Sequence, residues 1–259
     1  MEIRILGSVE LCVPGKTAPL LPERVRRLLA ALAWRPNEFI SDDTAVDQIW
    51  GDDLPQRPRD ALYTCATRLR RSFAELRPDA RCPVIRRRGG YLLAIDSDCI
   101  DLHRSRLLIS QARNAGREGD PLSAVTMFDR ALDLWTGTPL SDLGSSWAAA
   151  ARVALEHERL SAVIGRLRIE LELGHHMESI PMLHQLAAEH PLDEAIAEML
   201  LLALYRSGRQ NEALDCFNHI RHRLVEQLGD EPGAALQRLH QKVLCRDRSL
   251  DPQHSLVMA

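Results

Sequence analysis

Lysine is nearly missing from this chain: Lys16 and Lys242 are the only two among 33 basic residues. That excess of arginine reads as codon bias in a GC-rich genome before it reads as function. Aromatic residues are also scarce, at 4%, so the cores have to be built from Leu, Ala, Val and Ile. No apolar run approaches the ~20 residues that span a bilayer, which argues against a membrane protein. Met1-Glu2-Ile3-Arg4 has neither the basic start nor the apolar stretch of a signal peptide, so a cytoplasmic location is expected. Cys12, Cys65, Cys82, Cys99, Cys216 and Cys245 show no CxxC spacing and read as reduced thiols packed as small hydrophobes. His219 and His222 lie three apart and His175 and His176 are adjacent, but no third ligand follows at a repeating interval. They read as surface histidines, and no metal or other cofactor is expected. A P-loop and a nucleophile elbow are both lacking, and Gly89-Gly90 is too short a signal to replace them, so catalysis is not expected.

What is present is the composition of a folded protein. The 259 residues suffice for one large or two ordinary domains, and 45% are hydrophobic against 27% charged. The net charge of −3 conceals a division. Residues 1–95 carry 16 basic and 12 acidic side chains, a net +4, whereas residues 96–259 carry 17 and 24, a net −7. Within 54–95, ten arginines face only Asp60, Glu75 and Asp79. A concentrated basic stretch is the footprint of a phosphate-binding surface, though a solvated charged face has the same composition.

Periodicity divides the basic part into elements. Ile3, Ile5, Val9, Leu11 and Val13 alternate with polar residues around Gly7, the pattern of half-buried strands, and a turn is expected at Pro14-Gly15-Lys16. From Pro22 the period becomes helical: Val25, Leu28, Leu29 and Leu32 form a stripe, with Arg24, Arg26 and Arg27 crowding the first turn. Ser41 before Asp42 and Asp43 is a good N-cap for a second helix ending near Trp50-Gly51. A third helix is expected over Arg59–Leu76. Leu62, Ala66, Leu69, Phe73 and Leu76 make one stripe, and Asp60, Thr64, Thr67, Arg68 and Arg71 the opposite face, flanked by Arg59, Tyr63 and Arg70. A core-facing helix needs the stripe but not hydroxyls and guanidiniums grouped opposite it. A helix entering a major groove does need them, and an ordinary basic amphipathic helix is the alternative. Val84–Ile95 then reads as a hairpin with an Arg86-Arg87-Arg88-Gly89-Gly90 tip. Strands, three helices and a basic hairpin make a winged helix.

From about Leu102 to Leu244 nearly every segment has helical period. Gly174, Ser179 and Leu183 recur 34 residues later as Gly208, Ala213 and Phe217, and Gly119, Ala124 and Phe128 share the internal spacing. That is a tetratricopeptide pattern: the glycine permits a close turn between antiparallel helices, and the small residue permits their packing. A chance helical bundle is the alternative. The fold class expected is therefore mainly α: an α+β winged helix-turn-helix over 1–95, an all-α tetratricopeptide-like domain over 96–248, and a disordered tail over 249–259.

Ile5-Leu6-Gly7, Arg26, Ile49-Trp50-Gly51, Leu62 through Leu69-Arg70-Arg71, and Gly90-Tyr91 resemble the OmpR/PhoB-type DNA-binding domain as carried by Streptomyces antibiotic regulatory proteins. Ala131–Gly137, His190–Glu194, Ala203–Gln210 and Glu226–Gly233 resemble the bacterial transcriptional activation domain of the same regulators. Arg86-Arg87-Arg88 is more basic than usual for the wing, and Asp230 stands where an aliphatic residue is common. The resemblance implies an activator that binds double-stranded DNA at direct repeats upstream of antibiotic biosynthesis promoters. It would do so as side-by-side pairs and recruit RNA polymerase holoenzyme with its sigma factor. No receiver domain precedes the winged helix, so aspartate phosphorylation is not the expected switch. The expected DNA contacts are Thr64, Thr67, Arg68 and Arg71 on the third helix, Arg26 and Arg59 as phosphate clamps, and Arg86, Arg87 and Arg88 on the wing. A protein-interaction scaffold and a repressor with the same domains are the competing readings.

Overall fold

The structure, a computed structural model, describes residues 1–13, 16–17 and 19–250. The turn expected at Pro14-Gly15 and the tail from 251 onward lie outside the described residues. The chain is mainly helical, with two small sheets at its N-terminal end. Strands β1 (Glu2–Arg4), β2 (Glu10–Val13) and β3 (Lys16–Thr17) form an antiparallel sheet in that order. Helices α1 (Glu23–Trp34), α2 (Asp42–Trp50) and α3 (Pro58–Leu76) follow, with β4 (Ile40–Ser41) before α2. The hairpin β5 (Val84–Arg87) and β6 (Gly90–Leu93) completes a second sheet of order β4-β6-β5. This is a winged helix. Local chemistry explains its boundaries: the Ser41 hydroxyl accepts from the Thr44 amide at 3.1 Å, capping α2, and Pro58 opens α3 where no amide donor is needed.

Helices α4 (Asp101–Arg117), α5 (Pro121–Leu132), α6 (Ser146–Glu172), α7 (His176–Glu189), α8 (Glu194–Arg206), α9 (Gln210–Leu228) and α10 (Ala234–Leu244) follow, with short 3-10 turns at Ser97–Cys99 and Arg248–Leu250. Two compact units emerge from its contacts. One comprises residues 1–112 and 126–162, the other residues 113–125 and 163–259.

The first unit has a continuous apolar core. Ile3, Ile5, Leu28, Ile49, Leu62, Leu69 and Tyr91 of the winged helix share it with Leu102, Leu140, Leu143 and Leu155. Polar links reinforce it. The Asp101 carboxylate accepts from the Ile5 and Leu6 amides at 2.9 Å, and Asp142 accepts from the Val9 amide at 3.0 Å. The winged helix therefore shares its core with the first helices of the following sequence.

In the second unit α8 packs against α7 and α9, and α10 closes on both α8 and α9. The spaced glycines act as the periodicity requires. Gly119, Gly174 and Gly208 have φ of 82°, 88° and 77°, a left-handed conformation that L side chains adopt at a cost. Ala124, Ser179 and Ala213, five residues after each, are all buried, as are Phe128, Leu183 and Phe217. One expectation fails here. His176 is buried rather than on the surface, and neither ring nitrogen has a hydrogen-bond partner among the described residues. Burial, assisted by Arg206, pushes its pKa below the usual imidazole value, so it packs as a neutral ring. The cysteines divide as well: none forms a disulfide, Cys12 and Cys65 are buried, and Cys245 is exposed. Past α10, Leu250 is 7% exposed and its carbonyl accepts from Arg206 Nε at 2.8 Å, so the expected tail does not begin at 249. No described helix is long and apolar enough to cross a membrane.

Candidate nucleic-acid interface

Helix α3 turns two unlike faces to its surroundings. Leu62, Cys65, Ala66, Leu69, Phe73 and Leu76 are buried, which fixes the helix against the core of the first unit. Thr64, Thr67, Arg68 and Arg71 are exposed, as are Arg59 and Tyr63. The threonine hydroxyls donate back to their own helix: Thr64 Oγ1 to the Asp60 carbonyl and Thr67 Oγ1 to the Tyr63 carbonyl, both at 2.9 Å. Each hydroxyl proton is thus engaged and the oxygen is left as an acceptor, which a base amino group can meet. Arg71 Nε pairs with Glu75 at 2.9 Å and Arg59 Nη2 with Asp43 at 3.4 Å, on side chains largely open to solvent. Arg68 makes no ion pair among the described residues.

The wing arginines separate into two kinds. Arg86 forms a two-pronged ion pair with Asp42, its Nη2 lying 2.8 Å from Oδ2, and its guanidinium rests 4.5 Å from the centre of the Tyr91 ring. The bonded guanidinium holds the Asp42 carboxyl below its ordinary pKa. Burial pushes the Tyr91 hydroxyl the other way, above its usual value. Arg86 thus ties the hairpin to the start of α2, alongside the Asp42 amide bonded to the Gly89 carbonyl at 2.8 Å. Arg70 adds a second brace, donating to the Val84 carbonyl at 3.1 Å. Arg87 and Arg88 are exposed and make no ion pair among the described residues.

Arg26 does not join this face. Its side chain is 11% exposed, and its guanidinium lies 2.7 Å from the Asp142 carboxylate and donates to the Leu21 carbonyl at 2.9 Å. Arg24, one of three arginines in that turn, is instead the exposed one, and it lines a cavity together with Thr64 and Arg68. Charge count could not have separated them. The Asp42 clamp on the wing was likewise missed, because Asp42 reads in sequence only as a helix-start acid. Among the described residues no group of three or more His, Cys, Asp or Glu side chains is arranged to hold a metal ion.

Comparison with known proteins adds the family. Residues 100–244 match the profile of the bacterial transcriptional activator domain. The chain is 36% identical to the transcriptional regulator RedD of Streptomyces coelicolor, over 95% of this chain and 71% of RedD. It is 31% identical to the regulatory protein DnrI of Streptomyces peucetius, over 97% of this chain and 94% of DnrI. The chain belongs to the Streptomyces antibiotic regulatory protein family. Members differ in size: against the regulatory protein AfsR of Streptomyces coelicolor the identity is 36% over 96% of this chain, which spans only 25% of AfsR. Among solved structures, Mycobacterium tuberculosis EmbR, determined in complex with a low-affinity phosphopeptide, superposes with a TM-score of 0.91 at 26% identity. The match covers 98% of this chain and 67% of EmbR. A transcriptional regulator with a winged helix ahead of a helical activator domain is thus the shared architecture.

Proposed function

We propose that this protein activates transcription by binding double-stranded DNA through α3 and the wing, and by recruiting RNA polymerase holoenzyme through its helical residues. The observation that carries the reading is the face of α3. Opposite a fully buried stripe it groups two hydroxyls and two guanidiniums, none of which the core requires. With α3 in a major groove, Arg68 has no internal ion pair to surrender and forks onto a guanine edge, while Thr64 and Thr67 offer acceptor and methyl groups. Arg71 and Arg59 exchange exposed carboxylates for phosphates, at little cost because surface pairs are worth roughly 0–1 kcal/mol. Arg87 and Arg88 reach the neighbouring groove or its phosphates, and Arg86 serves by holding the hairpin rather than by touching DNA.

The names of the relatives, all regulators, support this reading. Operators built as direct repeats would seat two copies side by side, upstream of antibiotic biosynthesis promoters. The net −7 of residues 96–259 suits contacts with protein, to sigma factor or polymerase, better than with nucleic acid. The deciding experiment is a binding titration on a promoter duplex from the protein's own gene neighbourhood, at two salt concentrations, beside the variant Arg68→Ala/Arg71→Ala. Affinity that falls with salt and is lost in the variant is expected, with added polymerase then raising transcript yield. Wild-type binding no tighter than to a random duplex would overturn the proposal.

A further inference from the structure

A cavity of about 400 Å³ opens beside the exposed face of α3, where the start of α1 and the end of α2 meet it. Its lining includes Arg24, Trp50, Thr64, Cys65 and Arg68. The only carboxylate in that lining, among the described residues, is Glu23, and it is already engaged. Glu23 pairs with Arg27 at 2.5 Å and accepts from the Gly144 amide at 3.3 Å, contacts that hold its pKa below the usual value. Arg24 is exposed and, like Arg68, has no ion-pair partner among the described residues. Two guanidiniums thus converge on one cavity with no free counter-charge in its wall.

The lining also holds one polar group left without a partner. Trp50 is 4% exposed, and its indole N–H has no hydrogen-bond partner among the described residues. A buried donor without an acceptor is uncommon. Burial raises the pKa of the Cys65 thiol in the lining, while the positive charges of Arg68 and Arg24 act on it in the opposite sense.

We propose that this cavity seats one backbone phosphate of bound DNA, with Arg24 as its principal ligand and Arg68 at its edge beside the groove-facing side chains. The assignment rests on the reading that α3 faces DNA. It also replaces an expectation: the phosphate clamp on α1 is Arg24, and Arg26 holds the fold through Asp142. A charged, multidentate guanidinium suits a phosphodiester, and a contact at the edge of the reading helix fixes its register without reading sequence.

The test is a methylphosphonate scan, in which single phosphates of the operator duplex are replaced by uncharged groups. Wild type, Arg24→Ala and Arg26→Ala are compared by titration at several salt concentrations. Arg24→Ala should bind promoter and random duplexes about three- to tenfold more weakly alike, with the slope of log affinity against log salt reduced by about 1. One phosphate should be found whose neutralisation weakens wild type but not Arg24→Ala, and Arg24→Lys should recover part of the loss. Arg26→Ala should keep the wild-type salt slope and lower the melting temperature instead. If wild type and Arg68→Ala/Arg71→Ala behave as the functional reading requires but Arg24→Ala keeps the wild-type affinity and slope, the cavity assignment is wrong and the function stands. If wild type itself does not prefer its promoter, both fall. Tight binding of inorganic phosphate by calorimetry, lost in Arg24→Ala, would reassign the cavity to a free anion and overturn the DNA assignment.

Discussion

The first residue of α4 shows how much a single side chain can hold. Asp101 is 2% exposed, and its carboxylate accepts from the amides of Ile5, Leu6 and its own neighbour Leu102. Burial drives its pKa up to about 6, and those three amides only partly counter the effect. A carboxyl whose folded pKa lies above its unfolded value binds its proton more tightly in the folded chain. Its contribution to stability therefore declines as pH rises from about 4 to about 6 and is level above that. Asp101→Ala leaves three enclosed amides without that acceptor, so we expect a loss of about 2–4 kcal/mol near pH 5, read from urea denaturation. The gap between wild type and variant should be widest near pH 4 and narrow toward pH 6; a gap that widens over that range would refute the assignment. Nothing local marks Asp101 as a link to the first strand's end, because Ile5 and Leu6 lie some 95 residues away. Ser41 is the opposite case, legible because its partner, Thr44, is three residues along the same helix.

At the scale of an element, the wing depends on two adjacent glycines for different reasons. Gly89 has φ of +81°, and nothing lies within 4 Å of where a Cβ would stand. Gly90 has room for no Cβ at all: one would meet the Ile40 carbonyl oxygen at 2.1 Å and the Phe39 ring at 2.6 Å. Gly89→Ala should therefore cost about 1–2 kcal/mol, the strain of a left-handed alanine. Gly90→Ala should cost more and should part β6 from β4, visible as faster amide exchange at Asn37, whose N–H bonds to the Leu93 carbonyl at 2.8 Å. Equal exchange in the two variants would contradict this account. The hairpin and its Gly-Gly tip were legible as a pattern. Which glycine is conformational and which steric was not, since that depends on β4 lying against β6.

At the scale of the whole molecule, the thiols report on how the chain is folded. Cys245 is exposed, Cys12 and Cys65 are buried, and burial raises the Cys216 thiol to about 11. A native chain treated with a thiolate-selective reagent near pH 8 should modify Cys245 first. Cys216 should stay unreacted until denaturant is added, because little of it is thiolate. Mass mapping of the modified peptides checks the order, and early labelling of Cys216 would show that α9 is not packed as described.

Much of this molecule was written locally. Period-2 alternation, helical stripes, the Ser41 cap and the spaced glycines act over a few residues, so strands, helices and the repeat could be read from the chain alone. The exposed face of α3 could be read as well, since a 19-residue amphipathic helix fixes which side must be buried. The role of each arginine could not be read this way. At about 100° per residue, Arg24 and Arg26 stand equally far on either side of buried Val25, and sequence treats them alike. Folding breaks that equivalence: Asp142, 116 residues further on, arrives on the side of Arg26 and takes its charge. Arg24 is left beside α3 with no ion pair among the described residues. Helical period dictates which residues share a face, but which of those faces meets a distant carboxylate is decided only when the chain has closed on itself.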